Sequence, residues 1–199
     1  FLGGNSMNWL AHVFLSPDDV NFKIGNLLTD VSKPEHLEIK NDSFLAGVRC
    51  HYEIDRFTDT HDLVKKCKKV FFPKYRHFSA VLVDVFYDHF LAAQWQSYSN
   101  ISYREYVNDF YSLLKMKTLP LHKDSEVFIE SIYTSDRLGI YDRIEGVEQA
   151  LERISSRIRL RTKIDIRESI VELNENYDVL LSDFRAFFPQ LRSHVKDFN

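Results

Sequence analysis

Four short segments of this chain carry histidine and aspartate where a helical core would ordinarily hold apolar side chains. His12 lies inside the run NWLAHVFLS, Asp30 ends GNLLTD, His51, Asp55 and Asp59 step by four through HYEIDRFTD, and Asp84, Asp88 and His89 sit in LVDVFYDHF. Residues four apart on a helix share a face one turn apart, so His51 projects with Asp55 and Asp84 with Asp88. Two such helices packed face to face bring an imidazole and three carboxylates to one point. That donor set suits a hard or borderline divalent ion: Mn, Mg, Fe or Zn. Asp59 falls further round its helix, toward the end.

The fourth segment is the most telling. Val81, Leu82, Val83, Val85, Phe86, Phe90 and Leu91 surround Asp84 and Asp88. A buried carboxylate without a partner costs several kcal/mol, and a bound cation satisfies two at once. Each residue taken singly has a plainer reading. His12 suits a core histidine, Asp59 a cap on the next helix, Asp30 a turn acid, His51 with Asp55 a surface ion pair, and Asp84 with Asp88 partners for arginines. The adjacent pair His61-Asp62 opens a lysine-rich stretch, where Asp62 also suits the positive end of a helix dipole; it ranks below the other segments.

The elements that must position these residues read as helices. A cap at Asn41 or Asp42 precedes Phe44, Leu45, Val48, Tyr52 and Ile54 at helical spacing. Asp59 or Thr60 then caps a short basic helix ending near Pro73. The stretch from Tyr75 to Tyr98 is apolar around most of its circumference and is expected to be central. Amphipathic patterns follow in SYREYVNDFYSLLKM, in SEVFIESIYTSDRLG closed by Gly139, and in the stripe Ile144, Val147, Leu151, Ile154 and Ile158. A last long helix aligns Ile170, Leu173, Tyr177, Leu181, Phe184 and Phe188 and stops at Pro189. No strand pattern competes. The expectation is an all-α, single-domain bundle of about seven or eight helices.

Composition supports this and narrows the function. Six glycines and five prolines among 199 residues are too few for a turn-rich sheet protein. Residues 1–6 read as an expression scar before a native start at Met7, with the domain spanning 7–199. No apolar run approaches the roughly 20 residues that span a membrane, and no signal peptide follows Met7. Cys50 and Cys67 form no paired motif, so the expected location is cytoplasmic. Phosphate-binding glycine loops, a G-x-S-x-G elbow and a paired-cysteine zinc site are all missing from the sequence. The aromatic residues follow helix stripes rather than a base-stacking sheet of the RNA-binding type, and no nucleic-acid partner is expected. On a chain of net charge −3, Lys65, Lys66, Lys68, Lys69, Lys74 and Arg76 form an unbroken basic stretch, and Arg153, Arg157, Arg159, Arg161 and Lys163 form another. Such stretches are either solvated faces or contacts for an anionic partner.

In order and spacing, MNWLAHVFLS, GNLLTD, GVRCHYEIDRFTDTH and VDVFYDHFLAAQW resemble the acyl carrier protein phosphodiesterases, with a match from Met7 to the C-terminal helix that weakens beyond about Trp95. That family is regarded as a divergent relative of the helical HD-domain phosphohydrolases. The resemblance implies an HD-domain-like fold and hydrolysis of the phosphodiester joining a carrier-protein serine to 4'-phosphopantetheine, with a divalent ion, most commonly Mn. It implies ligands drawn from His12, Asp30, His51, Asp55, Asp84 and Asp88. The HD-domain order of His, then His-Asp, then Asp does not map onto these positions. His89 and Asp59 become the candidate catalytic residues, His89 as support for a ligand or as proton donor to the leaving serine. Arg49, Arg56, Lys65, Lys66, Lys68 and Lys69 become the contacts for an acidic carrier protein. A metal phosphohydrolase of nucleotides or other small phosphodiesters, and a non-catalytic module binding an acidic protein, stand as alternatives.

Overall fold

The computed structural model describes residues 9–158 and 162–198. The expectations for residues 1–6, Met7, Arg159 and Arg161 lie outside this range. The described residues contain ten α-helices and no strand: α1 Trp9–Leu15, α2 Val20–Leu28, α3 Asp42–Thr60, α4 Asp62–Tyr75, α5 Ser79–Ala93, α6 Tyr103–Lys115, α7 Lys123–Thr134, α8 Ile144–Ile158, α9 Ser169–Glu175 and α10 Tyr177–Phe198. All-α architecture and a single helical domain agree with the sequence reading. The helix number exceeds seven or eight because α1 and α2 are too short for periodicity to declare them, and because Asn176 divides the last helix into α9 and α10.

Local chemistry sets most helix starts. Asn41 accepts the Phe44 amide at 2.9 Å to begin α3, and Asp19 accepts the Asn21 and Phe22 amides to begin α2. Ser102 and Glu105 form a reciprocal capping box on α6. The cap of α4 is His61, whose Nδ1 accepts the Leu63 amide, rather than Asp59 or Thr60. Gly139 does not close α7. Asp136, in the left-handed region at φ 45°, takes that place, and the Arg137 amide reaches back to the Ile132 carbonyl. Pro189 lies inside α10 instead of ending it. A proline forfeits one amide bond, and the buried Phe184, Phe187, Phe188, Leu191 and Val195 on both sides carry the helix through.

Helix α5 is the hub, buried from Val81 to Ala92 and packed against α1, α4, α8 and α10. Helices α2 and α3 pack most closely, because glycines face each other's backbones. A Cβ at Gly25 would meet the Phe44 carbonyl oxygen at 2.1 Å, and one at Gly47 would meet the Phe22 oxygen at 2.0 Å. This contact brings the end of α2 against the middle of α3, where His51 lies.

Candidate metal centre

Helix α1 contributes His12, the end of α2 contributes Asn26 and Asp30, and α3 contributes His51 and Asp55. The two imidazoles stack with centroids 4.3 Å apart and planes at 19°. His51 Nδ1 donates to the Asn26 main-chain oxygen at 2.8 Å. His12 Nδ1 donates to the Asn26 side-chain oxygen at 2.7 Å, since Asn26 uses its amide nitrogen on the His12 carbonyl and Ser16 Oγ. One asparagine thereby fixes both tautomers and directs both Nε2 atoms toward the same carboxylates. Metal-binding histidines are held in this way.

Asp55 bridges the pair, with Oδ1 3.3 Å from His12 Nε2 and Oδ2 3.2 Å from His51 Nε2. Asp30 Oδ1 lies 3.0 Å from His51 Nε2, while its Oδ2 is buried without a hydrogen-bond partner among the described residues. Asp84 is buried on α5 and makes no hydrogen bond or ion pair among the described residues; its electrostatic neighbours are Asp55, Lys68, Asp30 and Asp59. Donor atoms of His12, His51 and Asp55 lie within 4.8 Å of one another. Two imidazole nitrogens, a bridging carboxylate, an orphaned carboxylate oxygen and an unpaired buried acid fit a divalent cation.

The electrostatics agree. Burial opposes charge on His51, but hydrogen bonds to Asp30 and Asp55 outweigh it and push its pKa up to about 10. Burial raises the Asp55 carboxyl, yet the hydrogen bonds from His12 and His51 win and hold it below the usual carboxylate range. Asp30 stays raised through burial, against the pull of His51. Asp84 is raised far above its ordinary value, first by burial and then by the negative charge of Asp55. Without a cation at its centre, the negative charge of this site is offset by protons and by the neighbouring Lys68.

The remaining candidates separate. Asp88, expected with Asp84, instead accepts the Leu10 and Ala11 amides at 3.0 and 2.9 Å, so its two oxygens cap α1. His89, expected beside the ligands, is committed elsewhere: Nδ1 donates to the Tyr141 carbonyl at 2.8 Å and Nε2 faces the Tyr177 hydroxyl at 2.9 Å. The five-residue step from Asp84 turns it to another face of α5. Asp59 is exposed and holds Lys68 at 2.7 Å. Among the basic residues, Lys66 pairs with Asp183, Arg56 with Glu53 and Lys65 weakly with Asp62, whereas Arg49 and Lys69 are exposed without an ion pair among the described residues. His61 and Asp62 lie outside the cluster, at the start of α4. Asn26 was missed from the sequence; its place four residues before Asp30 in GNLLTD was the available signal.

Fold and site together define a helical domain carrying a candidate divalent-metal centre. The chain belongs to the acyl carrier protein phosphodiesterase family, a family of phosphoric diester hydrolases whose model matches residues 7–191. It is 30% identical over 194 residues to the acyl carrier protein phosphodiesterase of Enterobacter sp. (strain 638), covering 96% of this chain and 98% of that protein. The proteins of the same name from Serratia proteamaculans (strain 568) and Escherichia coli O139:H28 are 28% and 27% identical, covering 96% and 95% of this chain and 98% and 97% of theirs. No solved structure matches the chain. No described helix is long and apolar enough to cross a membrane.

Proposed function

We propose that this protein hydrolyses the phosphodiester of holo-acyl carrier protein, releasing 4'-phosphopantetheine and leaving the apo form, with a divalent ion held by His12, Asp30, His51, Asp55 and Asp84. The observation that carries the reading is the pair of Nε2 atoms aimed by Asn26 at Asp55, beside the orphaned Asp30 oxygen. Family membership supplies the substrate class. Manganese is the expected ion, with Mg, Fe or Zn compatible with the same donors. Kinship with HD-domain proteins and a cytoplasmic location belong to the same reading.

A bound divalent ion supplies Lewis acidity toward a phosphoryl oxygen and lowers the pKa of water. The chain's residues do the rest. With their Nδ1 protons tied to Asn26, His12 and His51 would turn their Nε2 atoms to a bound ion, His51 giving up its Nε2 proton as the ion enters. Asp55 stays ionised and holds both imidazoles in register. Lys68 is a cation among Asp84's electrostatic neighbours, and Asp59 holds it by a 2.7 Å contact. In this reading Lys68 offsets charge building on the phosphoryl oxygens and Asp59 orients it, a role for Asp59 through another residue. Arg49, Lys65 and Lys69 offer charge to an acidic carrier protein.

The test is an intact-mass measurement. Holo carrier protein incubated with the enzyme and Mn should lose the mass of phosphopantetheine, and the metal-stripped enzyme should leave it unchanged. Unchanged mass with several carrier proteins would overturn the reading, and turnover of nucleotides alone would point to a small-diester hydrolase.

A further inference from the structure

Three arginines gather at one place in the fold without an acidic partner among the described residues. Arg137 follows α7, while Arg153 and Arg157 lie one turn apart on α8, and together with Trp9, Tyr141, Ala150 and Ile154 they line a narrow cavity of about 20 Å³. None of the three forms an ion pair among the described residues, whereas Arg56, Arg104, Arg143 and Arg167 each do. Two donors are stranded in the same place: Trp9 Nε1, on a side chain only 5% exposed, and Arg137 Nε are both buried with no hydrogen-bond partner among the described residues. Buried N–H groups are rarely left unpaired. Arg137 is held rather than loose, its amide bonded to the Ile132 carbonyl and its guanidinium 5.9 Å from the Phe128 ring centroid. Phe128 also meets the Trp9 ring edge-on at 5.1 Å.

A water molecule filling the void would accept a bond but leave three positive charges facing one another. An oxyanion answers both deficits. We propose that this cavity is an oxyanion site for a phosphoryl group, separate from the candidate metal centre and independent of its function. The void admits one phosphoryl oxygen toward Trp9 Nε1 and Arg137 Nε. The remaining oxygens stay at the mouth, where the exposed Arg157 and the half-buried Arg153 close on them. Guanidinium groups bind such oxygens in bidentate fashion. The carrier can be free inorganic phosphate or an organic phosphate monoester.

The test uses metal-stripped full-length protein, so that phosphate cannot bind through the metal centre's ion. Thermal unfolding is followed with inorganic phosphate, with glycerol phosphate, and with sodium chloride at matched ionic strength, for the wild type, Arg153→Gln and Arg157→Gln. Phosphate should raise the wild-type midpoint saturably above the chloride control. Each variant should be at least as stable as wild type in chloride, because repulsion is relieved, and should lose the phosphate-specific gain. A gain with both phosphates identifies the phosphoryl group as the ligand, whereas a gain with inorganic phosphate alone identifies the free ion. No gain over chloride in the wild type, or an equal gain in the variants, would overturn the proposal.

Discussion

Asp88, on the central helix, holds the first turn of the helix that carries His12: its two carboxylate oxygens accept the Leu10 and Ala11 amides at 3.0 and 2.9 Å. A helix start buried among apolar neighbours has orphan amides that water cannot reach. Asp88→Ala should therefore destabilise the metal-free protein by about 1–3 kcal/mol and reduce activity through displacement of His12. Urea denaturation of the stripped protein checks this; an unchanged midpoint would show that α1 does not depend on the cap.

Asp84, one turn earlier, should behave in the opposite way. It is buried, makes no hydrogen bond among the described residues and faces Asp55 and Asp30. Asp84→Ala removes a desolvated acid, so the metal-free protein should be as stable as wild type or more stable, while Mn-dependent turnover falls by several orders of magnitude. Retained turnover would remove Asp84 from the ligand set.

The histidine–carboxylate coupling sets a pH dependence. Metal binding needs a neutral His51, whose pKa in the metal-free protein is pushed up to about 10 because hydrogen bonds to Asp30 and Asp55 overcome burial. Below that value an incoming ion displaces a proton, so Mn affinity should climb about tenfold per pH unit through neutrality. In the metal-free fold the His51 contribution to stability is fully present below its ordinary value of 6.5 and is lost as pH rises through about 10. Calorimetric titration with Mn in buffers of different ionisation enthalpy counts the protons released; release of none would refute the coupling.

The glycine contact between α2 and α3 should prove as important as the ligands. A methyl at Gly47 would lie 2.0 Å from the Phe22 carbonyl oxygen, a main-chain atom that cannot swing away. Gly47→Ala should cost roughly 1–3 kcal/mol and move Asn26 and Asp30 away from His51. Mn affinity should fall even in preparations that remain folded by circular dichroism, and wild-type affinity would contradict the argument.

The basic residues divide by what they already hold. Lys69 is exposed without an ion pair among the described residues and Lys65 reaches Asp62 only at 3.5 Å, so Lys65→Glu with Lys69→Glu should weaken carrier-protein binding at low salt and leave the fold intact. Lys66 instead meets the buried Asp183 at 2.9 Å, and Lys66→Glu should also lower stability by placing two acids together. Equal binding by the double variant and the wild type at low ionic strength would exclude this face as the dock.

The sequence by itself determined the helical class, the central position of α5, the start of α3 at Asn41 or Asp42 and the grouping of His51 with Asp55. These follow from spacing along one helix and from side chains acting on their own backbone, which are local physics. The ordered His/Asp motifs also sufficed for the family resemblance. Tertiary structure decided how the members of those motifs divide their work. Spacing made Asp84 and Asp88 equivalent, but a helix buried all round has no solvent face to set its phase. Which neighbour each acid met depended on where α1 crossed α5 and on where the acids beyond α2 and on α3 came to lie. Asp84 met Asp30 just beyond α2 and the acids of α3, Asp88 met the amides of α1, and His89 met Tyr141 and Tyr177. The role of Asn26 was hidden for the same reason, because it orients two histidines that lie 14 and 25 positions away in the chain.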